Sequence, residues 1–245
     1  MNSAERAGRV LLCLAEDEPT LGVSEVARRT VLAKSVVHRL LDGLTASGLV
    51  LRDAHSARYR LSPRALELGL RAIGAADIRA LALPLMFDLR ERTDETITLS
   101  LLIGHERAHI AKLESEQEVR MSVELGKRLP LYAGAAGHAI LSQLDDAQLE
   151  AYLTETDLAP FTPATIIDPQ QLCRSIDRAR LLGYAFTAGE RNPWAASIAA
   201  PIHTSGTVIG ALAICGPQAR FTPADITRLA DAVFTTSAEL TAKMS

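Results

Sequence analysis

The stretch from residue 22 to residue 61 constrains the fold most, because the spacing of its apolar residues changes from helical to extended. Between Lys34 and Ser47, apolar residues recur at the i, i+3, i+4 and i+7 positions that form one buried helical face. These residues are Val37, Leu40, Leu41 and Leu44. A shorter helix begins after Gly22, and two strands at about residues 49–52 and 58–61 follow Gly48. Two short helices, a tight turn and a two-stranded hairpin predict a winged helix-turn-helix.

Charge is distributed unevenly along the chain, and the same stretch is its basic part. Residues 24–60 contain seven basic and three acidic side chains, a balance of +4. The whole chain has 26 Lys and Arg against 29 Asp and Glu, a formal charge of −3, so the remainder carries −7. A basic patch on an acidic body is typical of a phosphate-binding module joined to a regulatory or catalytic domain, although a solvated helical face gives the same pattern.

The polar face of the second helix carries residue types that reach base edges in a major groove. Arg39 could make a bidentate contact to guanine, whereas Lys34 and the hairpin residues are better suited to phosphates. The alternative for Arg39 is an ion pair with Asp42 on the helix surface. The candidate DNA-binding residues are Arg28, Lys34, Ser35, His38, Arg39, Arg52 and Arg58.

Beyond residue 61 the pattern predicts a linker helix and then a mixed α+β domain. Ser62 and Pro63 begin a helix that continues to about Ala76, and a longer helix over 77–92 contains Pro84. The predicted strands are 96–101, 108–113, 197–203 and 207–215, and the predicted helices are 145–155, 168–182 and a final one from residue 222. We expect an antiparallel sheet flanked by helices.

Length and composition narrow the class of protein. At 245 residues the chain has the length of two domains, and 48% hydrophobic with 22% charged residues is typical of a folded globular protein. Cys13, Cys173 and Cys215 have neither metal-binding nor redox spacing, which indicates a reducing compartment. The sequence contains no signal peptide and no apolar run long enough for a membrane span, so we expect a cytoplasmic protein.

One short motif favours an enzyme. His105, Glu106 and His109 match H-E-x-x-H, the pattern of zinc peptidases. That chemistry requires a helix, because only i, i+4 spacing on a helix brings both imidazoles to one metal ion. Here Gly104 precedes the motif and alternating strands flank it, which favours a coincidental match. A metal-dependent hydrolase using these three residues is the alternative function; otherwise we expect no metal, no cofactor and no enzymatic activity.

Several longer strings occur in order along nearly the whole chain. They are S-E-V-A-R-R-T-V-L-A-K-S-V-V-H-R-L-L-D-G-L, G-L-V-x-R-D, R-Y-R-L-S-P-R-A-L-E-L-G, R-L-P-L-Y-A-G-A-A-G-H-A-I-L, G-Y-A-F-x-x-G-E, I-A-A-P-I and I-G-A-L-A-I-C-G-P. Together they closely resemble the isocitrate-lyase-regulator (IclR) family of bacterial transcription factors. The resemblance implies a winged helix-turn-helix DNA-binding domain over 1–61, a linker helix over 62–76 and a GAF-like effector-binding and oligomerisation domain over 77–245.

The resemblance also implies partners. We expect a homodimer or a dimer of dimers that binds double-stranded operator DNA, as a repressor or an activator, under the control of a small organic effector. A catabolic acid or an aromatic metabolite is the expected class of effector. A ligand-sensing module whose helix-turn-helix binds a protein partner is a third possibility.

This chain departs from the family pattern at several positions. Val31 stands in the turn where the family usually has Gly, and a left-handed conformation disfavours a β-branched residue, so the turn should be reshaped or strained. Val36 replaces a usual Thr or Ser, which removes a hydroxyl group. Gly134 and His138 replace the usual Thr and Lys of the effector domain, so the identity of the effector cannot be transferred from a relative.

The expected pocket is built on small residues. Residues 134–137, Gly-Ala-Ala-Gly, begin a helix whose free N–H groups suit an anionic ligand, or alternatively they pack the helix closely on the sheet. The resemblance implies the effector-binding residues Gly134, Ala135, Ala136, Thr187, Trp194, Ser197, Ala213 and Cys215. Trp194 is either an apolar wall or a core or interface residue, and Glu190 and Arg191 either face the pocket or are solvated. Because the matched positions hold no cation, we expect a mostly apolar pocket in which backbone N–H groups bind any carboxylate.

Overall fold

The computed structural model describes residues 2–15, 20–53, 56–65, 68 and 78–244. The chain divides into two units, Met1–Asp77 and Ile78–Ser245. The first unit carries a helix-turn-helix, and the second combines an antiparallel sheet with helices, so the α+β class is confirmed. Within these described ranges, no helix combines the length and the apolar character needed to cross a membrane.

The first unit has the predicted order of helices and strands. Its helices are α1 (Ser3–Leu14), α2 (Val23–Thr30) and α3 (Lys34–Ala46), and its strands are β1 (Val50–Arg52) and β2 (Tyr59–Leu61). Val37, Leu41 and Leu44 of α3 are buried in a core shared with α1 and α2, whereas Leu40 is only half-buried. β1 pairs antiparallel with β2, and Leu21 forms a bridge to Tyr59 from outside the hairpin.

In the turn between α2 and α3, Val31 adopts the left-handed conformation, at the position where the family usually has Gly. Val31 ends α2 with φ 55° and ψ 39°, and its side chain lies in solvent, 87% exposed. The N–H groups of Val31 and Leu32 both donate to the carbonyl of Ala27, so the last turn of α2 is closed by hydrogen bonds. Of the two expected outcomes, a reshaped or a strained turn, the structure shows the strained one.

The start of the predicted linker helix is anchored to the end of α3. The Ser62 hydroxyl donates to the carbonyl of Gly48 at 2.5 Å, and the Arg64 guanidinium donates to the carbonyl of Ser47 at 3.3 Å. Residues 63–65 are helical. Residues 66–67 and 69–77 lie outside the described residues, so the linker helix over 62–76 stays a prediction.

The second unit is built on a six-stranded antiparallel sheet in the order β5-β4-β3-β8-β7-β6. The strands are β3 (Thr96–Ile103), β4 (Glu106–Leu113), β5 (Arg128–Pro130), β6 (Ala185–Ala188), β7 (Ala195–Thr204) and β8 (Thr207–Pro217). The helices are α4 (Ile78–Thr93), α5 (Ala135–Leu141), α6 (Asp146–Glu155), α7 (Pro169–Leu182) and α8 (Pro223–Lys243). The short edge strands β5 and β6 were not predicted, and β4, β7 and β8 are longer than predicted.

Close packing of α5 on the sheet positions the cavity described below. Every residue of α5 is buried, and its apolar side chains share a core with Ala199, Ala211 and Ala213 of the sheet. A Cβ atom on Gly137 would lie 2.0 Å from the carbonyl oxygen of Leu131, so only glycine fits this position of the helix. Helices α4 and α8 pack against each other and against the sheet.

Candidate functional sites

Four of the predicted DNA-binding residues lie on the exposed face of α3. Lys34, Ser35, His38 and Arg39 are all exposed. Asp42 pairs with His38, whose Nδ1 lies 2.8 Å from the carboxylate, and not with Arg39 as the alternative interpretation supposed. Within the described part of the chain, the Arg39 guanidinium makes no hydrogen bond or ion pair. Its donors therefore remain available to a partner.

Arg28 at the end of α2 shares a carboxylate with its neighbour. Glu25 accepts from Arg28 at 2.5 Å and from Arg29 at 2.8 Å, while the Arg28 side chain stays 73% exposed. Hydrogen bonds from these two guanidinium groups lower the pKa of Glu25 to about 2. The predicted DNA contact of Arg28 would therefore come from a residue whose charge is partly compensated within α2.

The hairpin corrects one of the predicted phosphate contacts. Arg58 is half-buried and donates from Nε to the Thr20 hydroxyl at 2.9 Å and from its terminal nitrogen to the Thr20 carbonyl at 2.5 Å. The bridge between Leu21 and Tyr59 brings Thr20 beside the start of β2, which explains this internal use of the guanidinium. Arg52 is exposed, with its guanidinium carbon 5.8 Å from the centre of the Tyr59 ring.

Arg60 is a wing cation that the sequence prediction did not select. It is exposed, and the described residues contain no hydrogen-bond or ion-pair partner for it. The signal was present in the sequence, because Tyr59 and Leu61 alternate with Arg60 along β2 and neighbouring side chains of a strand point to opposite faces.

The second unit contains a cavity of about 350 Å³ between the sheet, the start of α5 and the loop over 121–127. Six of the eight predicted effector-binding residues line it: Gly134, Ala136, Thr187, Ser197, Ala213 and Cys215. The cavity lies over the row that Thr187, Ser197 and Cys215 form across strands β6, β7 and β8. The Thr187 and Ser197 hydroxyls lie 3.3 Å apart, and the Cys215 thiol lies 3.9 Å from the Thr98 hydroxyl. Burial raises the pKa of the Cys215 thiol, so it is neutral at neutral pH.

Two predicted pocket residues do not line the cavity. Ala135 is 1% exposed and belongs to the core, because the helical turn that points Ala136 at the cavity points its neighbour away. Trp194 is 79% exposed. Its backbone carbonyl accepts from the Gln218 N–H, and its backbone N–H donates to the Asn192 side chain. The prediction of an apolar tryptophan wall is therefore wrong.

A buried arginine overturns the prediction of a pocket without a cation. Arg107 of β4 lines the cavity and is 2% exposed. Its only hydrogen bonds among the described residues are long ones, to the Ser100 hydroxyl at 3.4 Å and to the Ala133 carbonyl at 3.5 Å, and its buried Nε has no partner. Burial, together with the charge of Arg191, lowers the pKa of Arg107 to about 9, so it carries its charge at neutral pH.

Gly134 makes room for the guanidinium group of Arg107 and the aliphatic part of Arg191. A Cβ atom on Gly134 would lie 3.4 Å from a terminal nitrogen of Arg107 and 3.3 Å from Cδ of Arg191. Gly134 also has φ 92°, which disfavours any residue with a side chain. The replacement of the usual family threonine at this position therefore opens the space that the arginines occupy. Arg191 lines the cavity and is exposed on its outer side.

His109 places a second unused polar atom beside Arg107. Its Nδ1 lies 3.0 Å from the Ser100 hydroxyl, while its buried Nε2 has no partner. The tautomer of the ring sets whether Nδ1 or the Ser100 hydroxyl donates in this contact. Burial and the two nearby guanidinium groups lower the pKa of His109 to about 3, so the ring is neutral at neutral pH.

The H-E-x-x-H match does not form a metal centre. His105 lies in the turn before β4, 3.3 Å from the Glu155 carboxylate, and Glu106 pairs with Arg128 at 3.3 Å. His109 is buried on the strand, where residues four positions apart lie roughly 13 Å apart along the chain. Across the described residues, no group of three or more His, Cys, Asp or Glu side chains could hold a metal ion.

Glu190 accepts a hydrogen bond from the Gly134 N–H, one of the backbone groups that the sequence suggested for a ligand. Its Oε2 accepts from the Gly134 N–H at 2.7 Å and lies 3.6 Å from Nε2 of His138. His138 is fully buried, and its two ring nitrogens contact the Tyr132 carbonyl at 2.8 Å and the Ser175 hydroxyl at 3.0 Å. Burial raises the pKa of Glu190. The Gly134 N–H is therefore not free for a ligand, which removes one of the backbone donors over residues 134–137 that the sequence suggested.

Comparison with known proteins assigns both units to the same protein family. Residues 3–54 match the family described as "IclR helix-turn-helix domain", and residues 70–242 match "Bacterial transcriptional regulator IclR C-terminal". The chain is 37% identical over 213 residues to the HTH-type transcriptional regulator KipR of Bacillus subtilis, covering 86% of this chain and 85% of that protein. It is 32% identical over 219 residues to the HTH-type transcriptional repressor AllR of Escherichia coli, covering 89% and 81%.

Solved structures share the fold over nearly the full length. An IclR-type regulator from Silicibacter sp. TM1040 matches with a TM-score of 0.92 and 27% identity, covering 99% of this chain and 96% of that one. An IclR homolog from Microbacterium hydrocarbonoxydans, solved in complex with 4-hydroxybenzoate, matches with a TM-score of 0.83 and 28% identity, covering 98% and 100%.

Proposed function

The chain belongs to the IclR family of bacterial transcriptional regulators, a family of DNA-binding proteins and not of enzymes, and from this premise we propose that a small organic carboxylate bound beside Arg107 controls its affinity for operator DNA. The effector is bound in the cavity of the second unit. The operator is contacted by the exposed face of α3, with the wing on adjacent phosphates. We further propose that it acts in the cytoplasm as a homodimer or a dimer of dimers.

The unpaired Arg107 carries this proposal. A buried charge without a counter-ion is strongly unfavourable, and a carboxylate bound to it restores the lost interactions through charge-assisted hydrogen bonds. Arg107 and His109 occupy neighbouring positions of the same strand face and both line the cavity, and the buried Nε of Arg107 and Nε2 of His109 have no partner among the described residues. The hydroxyl groups of Thr187 and Ser197 provide further polar contacts in the same cavity. The similar protein solved with 4-hydroxybenzoate, an aromatic carboxylate, supports this chemical class.

The proposed response follows from linkage. A ligand shifts an equilibrium between two arrangements of an oligomer only when it binds them with different affinity. The segment that begins at Ser62 joins the two units, and its anchoring to the end of α3 makes it the natural route from the cavity to the DNA-binding surface.

The DNA part of the proposal is tested with duplexes from the region flanking the gene. Fluorescence anisotropy across a salt series should give log affinity falling with log salt, by about 0.9 for each phosphate contacted. Arg39→Ala should relax the base preference if its exposed guanidinium reads a base edge, as we propose. Salt-independent affinity, or no binding to any duplex, would refute this part.

The effector part is tested with thermal shift in a panel of small carboxylic acids. An acid that binds only the native state must raise the melting temperature. Arg107→Met retains the volume of the side chain and removes the charge, so it should abolish the shift without lowering the melting temperature of the free protein. An unchanged response in this variant would refute the placement of the ligand.

A further inference from the structure

A basic and an acidic side chain are both buried at the cavity and do not pair with each other. Arg107 is 2% exposed and Glu190 is 7% exposed, and both line the same space. Glu190 lies 3.6 Å from the ring of His138, and no ion pair joins Glu190 to either arginine in the described part of the chain. The cavity therefore presents a basic and an acidic group to whatever binds between them.

Glu190 keeps one oxygen available. Both of its contacts, with the Gly134 N–H and with His138, are made by Oε2. Among the described residues no hydrogen bond reaches Oε1. An oxygen of an ionised carboxylate can only accept, so Oε1 in that form requires a donor from a bound ligand.

We infer that the ligand is a small carboxylate that also carries an N–H or O–H donor, with its carboxylate at Arg107 and His109 and its donor at Oε1 of Glu190. This inference rests on the proposed function and specifies its ligand. A hydroxy acid, an amino acid or a ureido acid has the required pair of groups. The selecting residue is Glu190, for which the sequence left open whether it faces the pocket or is solvated.

The same geometry rejects two neighbouring classes of acid. A dicarboxylate of similar length places its second charge against Glu190, and like charges in a desolvated site are repelled. A carboxylate with an apolar far end leaves Oε1 without a partner, and a site built to hydrogen-bond a ligand group discriminates strongly against an analogue that lacks it.

The test compares three para-substituted benzoates by calorimetric titration of the full chain, and the Glu190→Gln variant separates the effect of charge from the larger size of terephthalate. These are 4-hydroxybenzoate, which has the donor, 4-fluorobenzoate, which lacks it, and terephthalate, which has a second carboxylate. We expect 4-hydroxybenzoate to bind at least tenfold more tightly than either of the others. Glu190→Gln keeps an oxygen for the Gly134 N–H and removes the charge, so the preference over terephthalate should fall at least tenfold. Glu106→Gln, which removes a carboxylate outside the cavity, should keep the preference of the unmodified chain.

The outcomes separate this inference from the proposed function. If the acids bind but terephthalate or 4-fluorobenzoate binds as well as 4-hydroxybenzoate, the inference is overturned and the proposed function stands. An unchanged preference in Glu190→Gln overturns it equally. If Glu190→Gln does not fold, the comparison of the three acids on the unmodified chain decides alone. If no carboxylate binds the chain at all, both the inference and the effector part of the proposed function are overturned.

Discussion

Replacing Val31 by glycine should stabilise the first unit, because it relieves a backbone conformation that is costly for a β-branched residue. Val31 has φ 55° and ψ 39°. A residue with a Cβ atom in this left-handed region costs roughly 1–2 kcal/mol. Two effects oppose the gain. Glycine adds about 0.4–1 kcal/mol of conformational entropy to the unfolded chain, and the loss of a side chain that is 87% exposed removes only about 0.3 kcal/mol of burial.

The net expectation for Val31→Gly is a stabilisation of about 0.5 kcal/mol. For a unit of this size that corresponds to a rise in melting temperature of roughly 2–4 °C. Hydrogen–deuterium exchange on the full chain gives the local measurement. Amides of α2 and α3 that exchange through unfolding of the unit should exchange about twofold more slowly.

Two further variants show whether the left-handed turn is the cause. Val31→Asn should give a smaller gain, because asparagine tolerates the left-handed region better than valine does. Val119→Gly removes a side chain that is 67% exposed at a position outside that region, so it should not stabilise the chain. Faster exchange in Val31→Gly, or an equal gain in Val119→Gly, would refute the assignment of strain to Val31.

Three other perturbations have defined outcomes. Arg60→Ala should weaken binding to all duplexes alike and reduce the slope of log affinity against log salt. Arg58→Ala should instead lower the melting temperature, because its guanidinium is bonded to Thr20. Equal effects of the two substitutions on DNA binding and on melting temperature would contradict this division. Gly137→Ala should destabilise the second unit by more than about 2 kcal/mol in urea unfolding, whereas Gly8→Ala, whose Cβ meets nothing within 4 Å, should stabilise its helix by roughly 0.5–1 kcal/mol. The pKa of His109 is about 3 in the folded chain and about 6.5 in the unfolded chain, so the unfolded state binds an extra proton between these values. The free energy of unfolding should therefore fall by roughly 1.4 kcal/mol per pH unit as pH decreases through that window. His109→Gln should flatten this slope.

Features fixed by local sequence could be predicted, and features fixed by contacts between distant residues could not. The helices α2 and α3 and the wing follow from apolar spacing within a few turns of chain, and the structure has them at nearly the predicted bounds. The exposure of Lys34 and Arg39 follows from the same periodicity. The internal bonding of Arg58 depends on Thr20, which lies 38 positions earlier in the sequence, and no local pattern reports that contact.

Arg107, His109 and the contact between Glu190 and Gly134 escaped prediction for a related reason. The H-E-x-x-H match drew attention to His105 and His109 as a pair, and the predicted strand began at Ala108, after Arg107. In the structure β4 begins at Glu106, which places Arg107 and His109 on one face of the strand, toward the cavity. The use of the Gly134 N–H by Glu190 joins residues 56 positions apart. Strand alternation extended by two residues would have revealed the arginine, whereas the glutamate required the folded chain.

The cost of Arg107 distinguishes a binding site from ordinary packing. A buried ion pair can often be replaced by apolar residues without loss of stability, and a buried cation without a counter-ion is less favourable still. A position whose only role is to fill the core is served better by methionine or leucine, which fit the same space without desolvating a charge. Here the neighbouring Gly134 lacks a side chain that would contact the guanidinium, and Glu190, the nearby anion in the cavity wall, is held by Gly134 and His138 instead. Arg107 and Glu190 thus line one cavity without pairing with each other, and a molecule with complementary groups would satisfy both side chains.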